Sequence, residues 1–147
     1  MAAYYITCLS ALTAALVAWV GVQQYRVAHD RLKLDLWEKR YAVYKGAQVF
    51  LSRVMQEGTT DMQELVRYLQ DTKDAFFLFR PDMAEYLSDL YKTGVDLRTT
   101  RVLHERERDG DERTHLLEKE NRLLKELGDE LDRLKHRFAP YLTIARK

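Results

Sequence analysis

The sequence is poor in the residues that interrupt helices and cross-link chains. It has two prolines, six glycines and a single cysteine, Cys8. One cysteine can form neither an internal disulfide nor a cysteine cage for a metal. So few prolines and glycines, beside abundant Ala, Leu, Glu, Lys, Arg and Gln, are typical of long helices. Because no segment alternates like a β-strand, we expect an all-α protein.

The chain also lacks an excess of charge of either sign. Its 24 Lys and Arg oppose 23 Asp and Glu, which leaves a net charge of +1 with both signs interspersed. A protein that binds the phosphates of nucleic acid needs a clear basic excess. The balance therefore predicts no nucleic-acid partner.

One long stretch, residues 3–22, contains no charged side chain. Twenty helical residues extend about 30 Å, the thickness of the hydrocarbon core of a bilayer. A cleavable signal peptide would carry basic residues before its apolar core, and none precedes Arg26 here. The stretch therefore predicts a transmembrane helix within an anchor of residues 1–25, followed by a helical domain over 26–147.

The residues that flank this stretch predict its orientation. Lys and Arg lie only on its C-terminal side, so we expect the N-terminus outside, the domain in the cytoplasm and the lipid bilayer as a partner. Six aromatic and basic residues are placed as contacts at the membrane interface: Tyr4, Tyr5, Trp19, Tyr25, Arg26 and Arg31.

Small residues recur every three or four positions along the same stretch. They are Ala11, Ala14, Ala18 and Gly21. Such a stripe lets two membrane helices approach closely, which predicts self-association or a partner helix. The alternative is that Ala is simply abundant in spanning helices.

After the stretch, apolar residues at helical spacing predict four helices, over about 23–57, 61–78, 81–103 and 112–138. Gly58 is suited to cap the first of them, and Thr60 with Gln63 fits a capping box for the second. The second helix places six apolar residues on or beside one face: Met62, Leu65, Val66, Leu69, Phe76 and Phe77.

The last predicted helix has the most regular apolar seam, interrupted only by Glu120. The seam consists of Leu117, Leu124, Leu127, Leu131 and Leu134, followed by Phe138. It must bury against another helix, in this chain or in a second copy. Burying four such faces across short turns predicts an antiparallel three- or four-helix bundle or coiled-coil domain.

Candidate catalytic and metal-binding residues are few. Glu112 and His115 have the spacing of one carboxylate–imidazole pair of a di-iron bundle site, but the second pair that such a site needs is missing. No serine has the glycine neighbours of a nucleophile elbow, and no phosphate-binding loop occurs. We therefore expect no catalytic residue, no metal, no cofactor and no enzymatic activity.

The function expected from these features is that of a membrane-anchored, non-enzymatic interaction or scaffold protein. Its partner is another protein or a second copy of the chain. Two alternatives stay open: a membrane-bound sensor whose bundle binds a small ligand, and a membrane-damaging effector.

Residues 31–44 read RLKLDLWEKRYAVY. This segment resembles the juxtamembrane helix of small bacterial single-pass membrane proteins that are recorded as uncharacterised. Phe77-Leu78-Phe79 before Pro81 and the run 138–142 are similar to later landmarks of those proteins. The resemblance implies a location in the bacterial inner membrane, and it implies no activity.

Overall fold

A computed structural model describes the backbone of residues 2–107 and 110–143, and the side chains of these residues from Leu16 onward. Within them lie five helices: α1 (Ala2–Glu57), α2 (Met62–Thr72), α3 (Ala75–Leu78), α4 (Pro81–Arg106) and α5 (Asp111–Leu142). No strand occurs in this part of the chain. The prediction of an all-α protein is confirmed.

The chain divides into two compact units. Unit 1 is Met1–Leu36 and unit 2 is Trp37–Lys147, so α1 contributes to both. Unit 1, as far as it is described, is a single helix whose side chains from Leu16 to Leu36 are all exposed. Unit 2 contains the remainder of α1 together with α2 to α5 and is a helical bundle, as predicted.

The predicted transmembrane helix is wrong. None of the helices, over the residues that the structure describes, is both long enough and apolar enough to cross a membrane. The described side chains of the predicted span, 16–22, extend roughly 10 Å, and Gln23, Gln24 and Arg26 follow on the same helix. The side chains of residues 3–15 lie outside the described part. The bacterial inner-membrane location, which depended on this span, is withdrawn with it.

Helices α4 and α5 run antiparallel. Near the start of α4, the Arg137 guanidinium lies 4.3 Å from the centroid of the Tyr86 ring. Near the end of α4, Arg101 is hydrogen-bonded to Glu120. Residue numbers thus rise along α4 as they fall along α5.

The part of α1 in unit 2 is antiparallel to α2. The rings of Phe50 and Tyr68 lie 4.6 Å apart, and Arg53 forms an ion pair of 3.6 Å with Glu64. Gly46 allows this close approach, because a Cβ atom there would lie 2.5 Å from the Cβ of Asp71.

The core of unit 2 collects apolar side chains from α1, α2, α4 and α5. Its most completely buried aliphatic and phenylalanine members are Leu51, Val54, Leu65, Leu97, Leu127, Leu134 and Phe138. Each of these contributes about 1.5–3 kcal/mol relative to an exposed position. The packing of this core determines which face of each helix remains at the surface.

The turn between α1 and α2 differs from its prediction by one residue. Gly58 caps α1 as predicted, with φ of +66° and its N–H donating to the carbonyl of Val54 across 2.9 Å. The capping box of α2 is formed by Asp61 and Glu64, not by Thr60 and Gln63. Thr60 is buried, and its hydroxyl donates to the Glu64 carboxylate across 3.3 Å.

Two helix ends also differ from the sequence-based bounds. The helix predicted over 61–78 is divided into α2 and α3 at Lys73 and Asp74. The last helix continues through Pro140 to Leu142, whose carbonyl accepts a hydrogen bond of 2.8 Å from Nε1 of Trp37. This bond ties the end of α5 to the start of unit 2.

Candidate interaction surface

An apolar strip runs along α2 beside its buried face and stays exposed. Met62, Val66 and Leu69 follow one another at i, i+4 and i+7, which places them in line on the helix surface. Met62 is 53% exposed, and the other two are also exposed. The sequence-based apolar face therefore includes side chains that the bundle does not cover.

The face of α2 that is buried is partly polar. Glu64, Leu65, Tyr68 and Thr72 point into the bundle. The Tyr68 hydroxyl donates to the carbonyl of Leu87 across 2.8 Å, and the Thr72 hydroxyl donates to the carbonyl of Tyr68 across 2.8 Å. Burial raises the pKa of the Tyr68 phenol above its usual range. These bonds satisfy the buried hydroxyl groups, so a polar face can lie in the core.

Two phenylalanines extend the exposed strip at α3. Ala75 and Phe79 are buried on either side of them, whereas Phe76 is 71% and Phe77 is 83% exposed. Their ring centroids lie 5.5 Å apart with nearly perpendicular planes, a T-shaped contact. We call Met62, Val66, Leu69, Phe76 and Phe77 together the apolar surface.

A crevice of about 280 Å³ opens within the apolar surface, between α2, α3 and α4. Its lining is mainly apolar and includes Tyr68, Leu69, Ala75, Phe76, Ala84 and Leu87. Leu69 and Phe76 belong to both features, so the crevice and the apolar surface are continuous. Phe77 does not line the crevice.

Three polar groups at the crevice have no hydrogen-bond or ion-pair partner in the described part of the chain. Lys73, Ser88 and Tyr91 line it, and their ammonium and hydroxyl groups make no hydrogen bond or ion pair there. Asp74, next to Lys73, likewise has no ion pair among these residues. The border of the apolar surface thus carries charges of both signs.

A second polar cluster joins α4 to α5 around Glu120, which is 3% exposed. Its Oε1 accepts a hydrogen bond of 2.7 Å from Nη1 of Arg101, and its Oε2 lies 3.0 Å from Nδ1 of His104. Hydrogen bonds to Glu120 and to Glu105 raise the pKa of Arg101. Both oxygens of Glu120 are therefore occupied by side chains of α4.

A third cluster lies near the start of α4. The Tyr86 hydroxyl is buried beside Glu130, which forms an ion pair of 3.3 Å with Arg137. Burial, and then the negative charge of Glu130, raises the pKa of Tyr86.

In the described part of the chain, no three His, Cys, Asp or Glu side chains are grouped to hold a metal. Glu112 and His115 are exposed on α5.

The residues predicted to contact a membrane interface are only partly described. Trp19, Tyr25, Arg26 and Arg31 are exposed on α1 in unit 1, and the Tyr25 ring stacks on His29 at 6.3 Å. Tyr4 and Tyr5 lie outside the described side chains.

The residues predicted for helix association divide in the same way. In unit 1, Ala18 and Gly21 are exposed, while Ala11 and Ala14 lie outside the described side chains. In α5, Leu127 and Leu134 belong to the core of unit 2, and Leu124 and Leu131 pack against it. Leu117 is 44% exposed. Most of the leucine seam is therefore buried within its own chain.

Sequence reasoning missed that Phe76 and Phe77 are exposed. A signal was present in the four-residue spacing of Glu64, Tyr68 and Thr72, a polar line that competes with the apolar strip for the core. The adjacent charges at Lys73 and Asp74 also mark the break before α3.

The fold and the surface together define a helical bundle with an exposed apolar surface. Comparison with known proteins finds no matching family model, no similar curated protein and no similar solved structure. The function has to be inferred from the geometry of the chain itself.

Proposed function

We propose that this chain is a non-enzymatic interaction protein whose bundle binds a protein partner through the apolar surface. The observation that carries the proposal is the exposure of two adjacent phenylalanines beside a strip of exposed aliphatic residues. Large contiguous apolar patches are uncommon on folded monomers and mark sites of interaction. Aromatic side chains are enriched at the centres of such sites.

The polar clusters support an interaction protein over an enzyme. The carboxylate of Glu120 is held on both oxygens by α4, and Glu130 pairs with Arg133 and Arg137 on its own helix. Glu120 thus joins α4 to α5, and Glu130 is paired within α5. The side chains of the apolar surface, in contrast, are left uncovered by the rest of the described chain.

Site-specific photo-crosslinking in cells tests the proposal. A photoreactive amino acid at Val66, which lies in the apolar surface, should give covalent adducts. The same amino acid at Glu126, an exposed position on α5, is the matched control and should give none. Adducts from Val66 should disappear when Phe76 and Phe77 are both changed to Ser, while thermal unfolding stays that of a folded bundle. Equal labelling from the two positions, or none from either, would refute the proposal.

The crevice supports one other candidate function, the binding of a small ligand. Beside its apolar residues, the lining presents the unpaired ammonium of Lys73 and the unpaired hydroxyls of Ser88 and Tyr91, a combination that suits an amphipathic carboxylate. Decanoate should then raise the melting temperature, and Ala84→Phe should abolish that rise by filling the crevice. No rise with decanoate would count against this candidate and leave the first unaffected.

A further inference from the structure

We infer that the partner at the apolar surface is a second copy of this chain, with Phe77 of each copy inserted into the crevice of the other. The inference rests on the proposed function and specifies its partner. It follows from the shape, the area and the charges of the apolar surface.

The shape of the surface is complementary to itself. Phe77 projects into solvent, and the crevice opens next to it, with Phe76 as one of its walls. A cavity of about 150 Å³ holds a benzene ring, so 280 Å³ leaves room for the phenyl group of Phe77. A protruding ring and a receptive crevice on one surface are the requirement for a twofold interface, in which each copy supplies both.

The area is sufficient for a reversible dimer. The exposed parts of the five side chains present on the order of 500–600 Å² per copy, since one phenylalanine alone offers about 150–250 Å². Two copies would then bury somewhat more than the roughly 1,000 Å² that separates specific interfaces from chance contacts. We expect a dissociation constant on the order of micromolar, the weak end of the range that larger interfaces of about 1,600 Å² cover.

The charges at the border favour the same arrangement. Lys73 and Asp74 are adjacent, have opposite signs and make no ion pair in the described part of the chain. A twofold axis near them brings Lys73 of one copy toward Asp74 of the other. A border of this kind attracts its own copy, whereas a border of one sign would repel it.

The test is sedimentation of the full chain at about 1 to 200 µM, a range that brackets a micromolar dissociation constant. Three variants are compared with the parent. Phe77→Ser removes the inserted ring, and Ala84→Phe fills the crevice. Tyr25→Ser is the matched control, because Tyr25 is an aromatic residue of unit 1 that is 74% exposed.

We expect the parent chain to dimerise, and we expect Phe77→Ser and Ala84→Phe each to weaken the dimer at least about tenfold, because each abolishes both symmetric insertions. Tyr25→Ser should dimerise like the parent. A circular-dichroism melt establishes that each variant is folded. Ser88→Phe, at an exposed residue of the lining, replaces Ala84→Phe if the latter does not fold.

Mixing the two defective variants gives the most specific result. The Ala84→Phe copy still carries Phe77, and the Phe77→Ser copy still has an open crevice. One of the two insertions can therefore form in the mixed dimer. The mixture should associate more strongly than either variant alone.

Several results would overturn the inference. They are a chain that stays monomeric at 200 µM, a dimer that Phe77→Ser and Ala84→Phe leave intact, a dimer that only Tyr25→Ser disrupts, and a mixture no stronger than its components. Co-sedimentation of a monomer with phosphatidylcholine vesicles, lost in Phe77→Ser, would assign the surface to lipid and also overturn it. If the chain is monomeric but Val66 crosslinks to a different protein, this inference fails while the proposed function stands.

Discussion

Arg101 on α4 donates a hydrogen bond of 2.7 Å from Nη1 to Oε1 of Glu120 on α5. Glu120 is the residue that interrupts the leucine seam, and it is buried, whereas the Arg101 side chain is 42% exposed. His104 approaches the other carboxylate oxygen at 3.0 Å. The interruption is thus a buried carboxylate with one partner on each oxygen.

We expect Arg101→Met to lower the free energy of unfolding by about 1–3 kcal/mol, because it leaves the buried Glu120 with one partner. Water around the half-exposed Arg101 keeps the loss at the lower end of that range. The double variant Arg101→Met with Glu120→Leu should recover most of it, since an apolar pair carries no desolvation penalty. Urea unfolding of the parent chain, Arg101→Met and the double variant measures these free energies. Lys92→Met, which removes the exposed ion pair with Asp89, is the control and should leave stability unchanged. A double variant less stable than Arg101→Met would contradict this account.

Gly94 packs α4 against α1 and α2. A Cβ atom there would lie 2.8 Å from Cζ of Phe50 and 3.1 Å from Cδ2 of Leu65. Gly94→Ala should therefore destabilise the bundle by about 1–2 kcal/mol, after allowance for the better helix propensity of Ala. Gly21→Ala is the matched control, because nothing lies within 4 Å of its Cβ position, and it should cause no loss. Equal denaturant midpoints for the two variants would show that α4 can move away from Phe50.

Gly58 ends α1 with φ of +66°, in the left-handed region. Gly58→Ala should cost about 1–2 kcal/mol of unfolding free energy, because a Cβ atom is disfavoured there. Gly58→Asn should cost less, since Asn tolerates this conformation better than Ala. Thermal and urea unfolding of the two variants should rank Asn above Ala. The reverse order would show that the turn adopts another conformation in solution.

Because of Tyr86, we expect the free energy of unfolding to fall as the pH rises into the alkaline range. Its phenol has a raised pKa in the folded chain, from burial first and then from Glu130. Below about pH 10, the usual pKa of Tyr, the phenol keeps its proton in both the folded and the unfolded chain. Above that pH the unfolded chain releases the proton while the folded chain retains it, so stability falls by about 1.4 kcal/mol per pH unit until the raised folded pKa is reached.

We expect Tyr86→Phe to remove this contribution and to flatten the fall of unfolding free energy above pH 10. At pH 7 this contribution is absent, because both the folded and the unfolded chain keep the phenol protonated, so the variant and the parent should differ much less there than at pH 11. Urea unfolding from pH 7 to 11 measures both effects. Tyr25→Phe, at an exposed ring, is the control. A curve for Tyr86→Phe that runs parallel to the parent's would exclude Tyr86 as the source.

The helical spacing of α5 predicted part of its buried face. Leu127 and Leu134 of the seam are in the core, because an amphipathic helix buries one stripe. Leu117, at the start of the seam, is exposed, and Leu123, beside the seam, is buried. The same reasoning failed for α2. There Glu64, Tyr68 and Thr72 lie in the core beside the exposed apolar strip. Arg53 on α1 pairs with Glu64, and the carbonyl of Leu87 on α4 accepts a hydrogen bond from Tyr68. The Thr72 hydroxyl bonds within α2, to the carbonyl of Tyr68.

The transmembrane prediction failed because an uncharged stretch was interpreted alone. The helix that contains it has 56 residues, and over the described residues no part of it is both long enough and apolar enough to cross a membrane.

By itself the sequence determined that the chain is helical, that Gly58 ends the first helix and that α5 buries one leucine face. These features depend on neighbours within a few residues, through backbone geometry and helical periodicity. Only the tertiary structure decided that α2 turns a polar face inward and that Phe76 and Phe77 remain exposed beside a crevice. The physical reason is that the buried Tyr68 hydroxyl donates to the carbonyl of Leu87 on α4, a partner that no local pattern within α2 indicates.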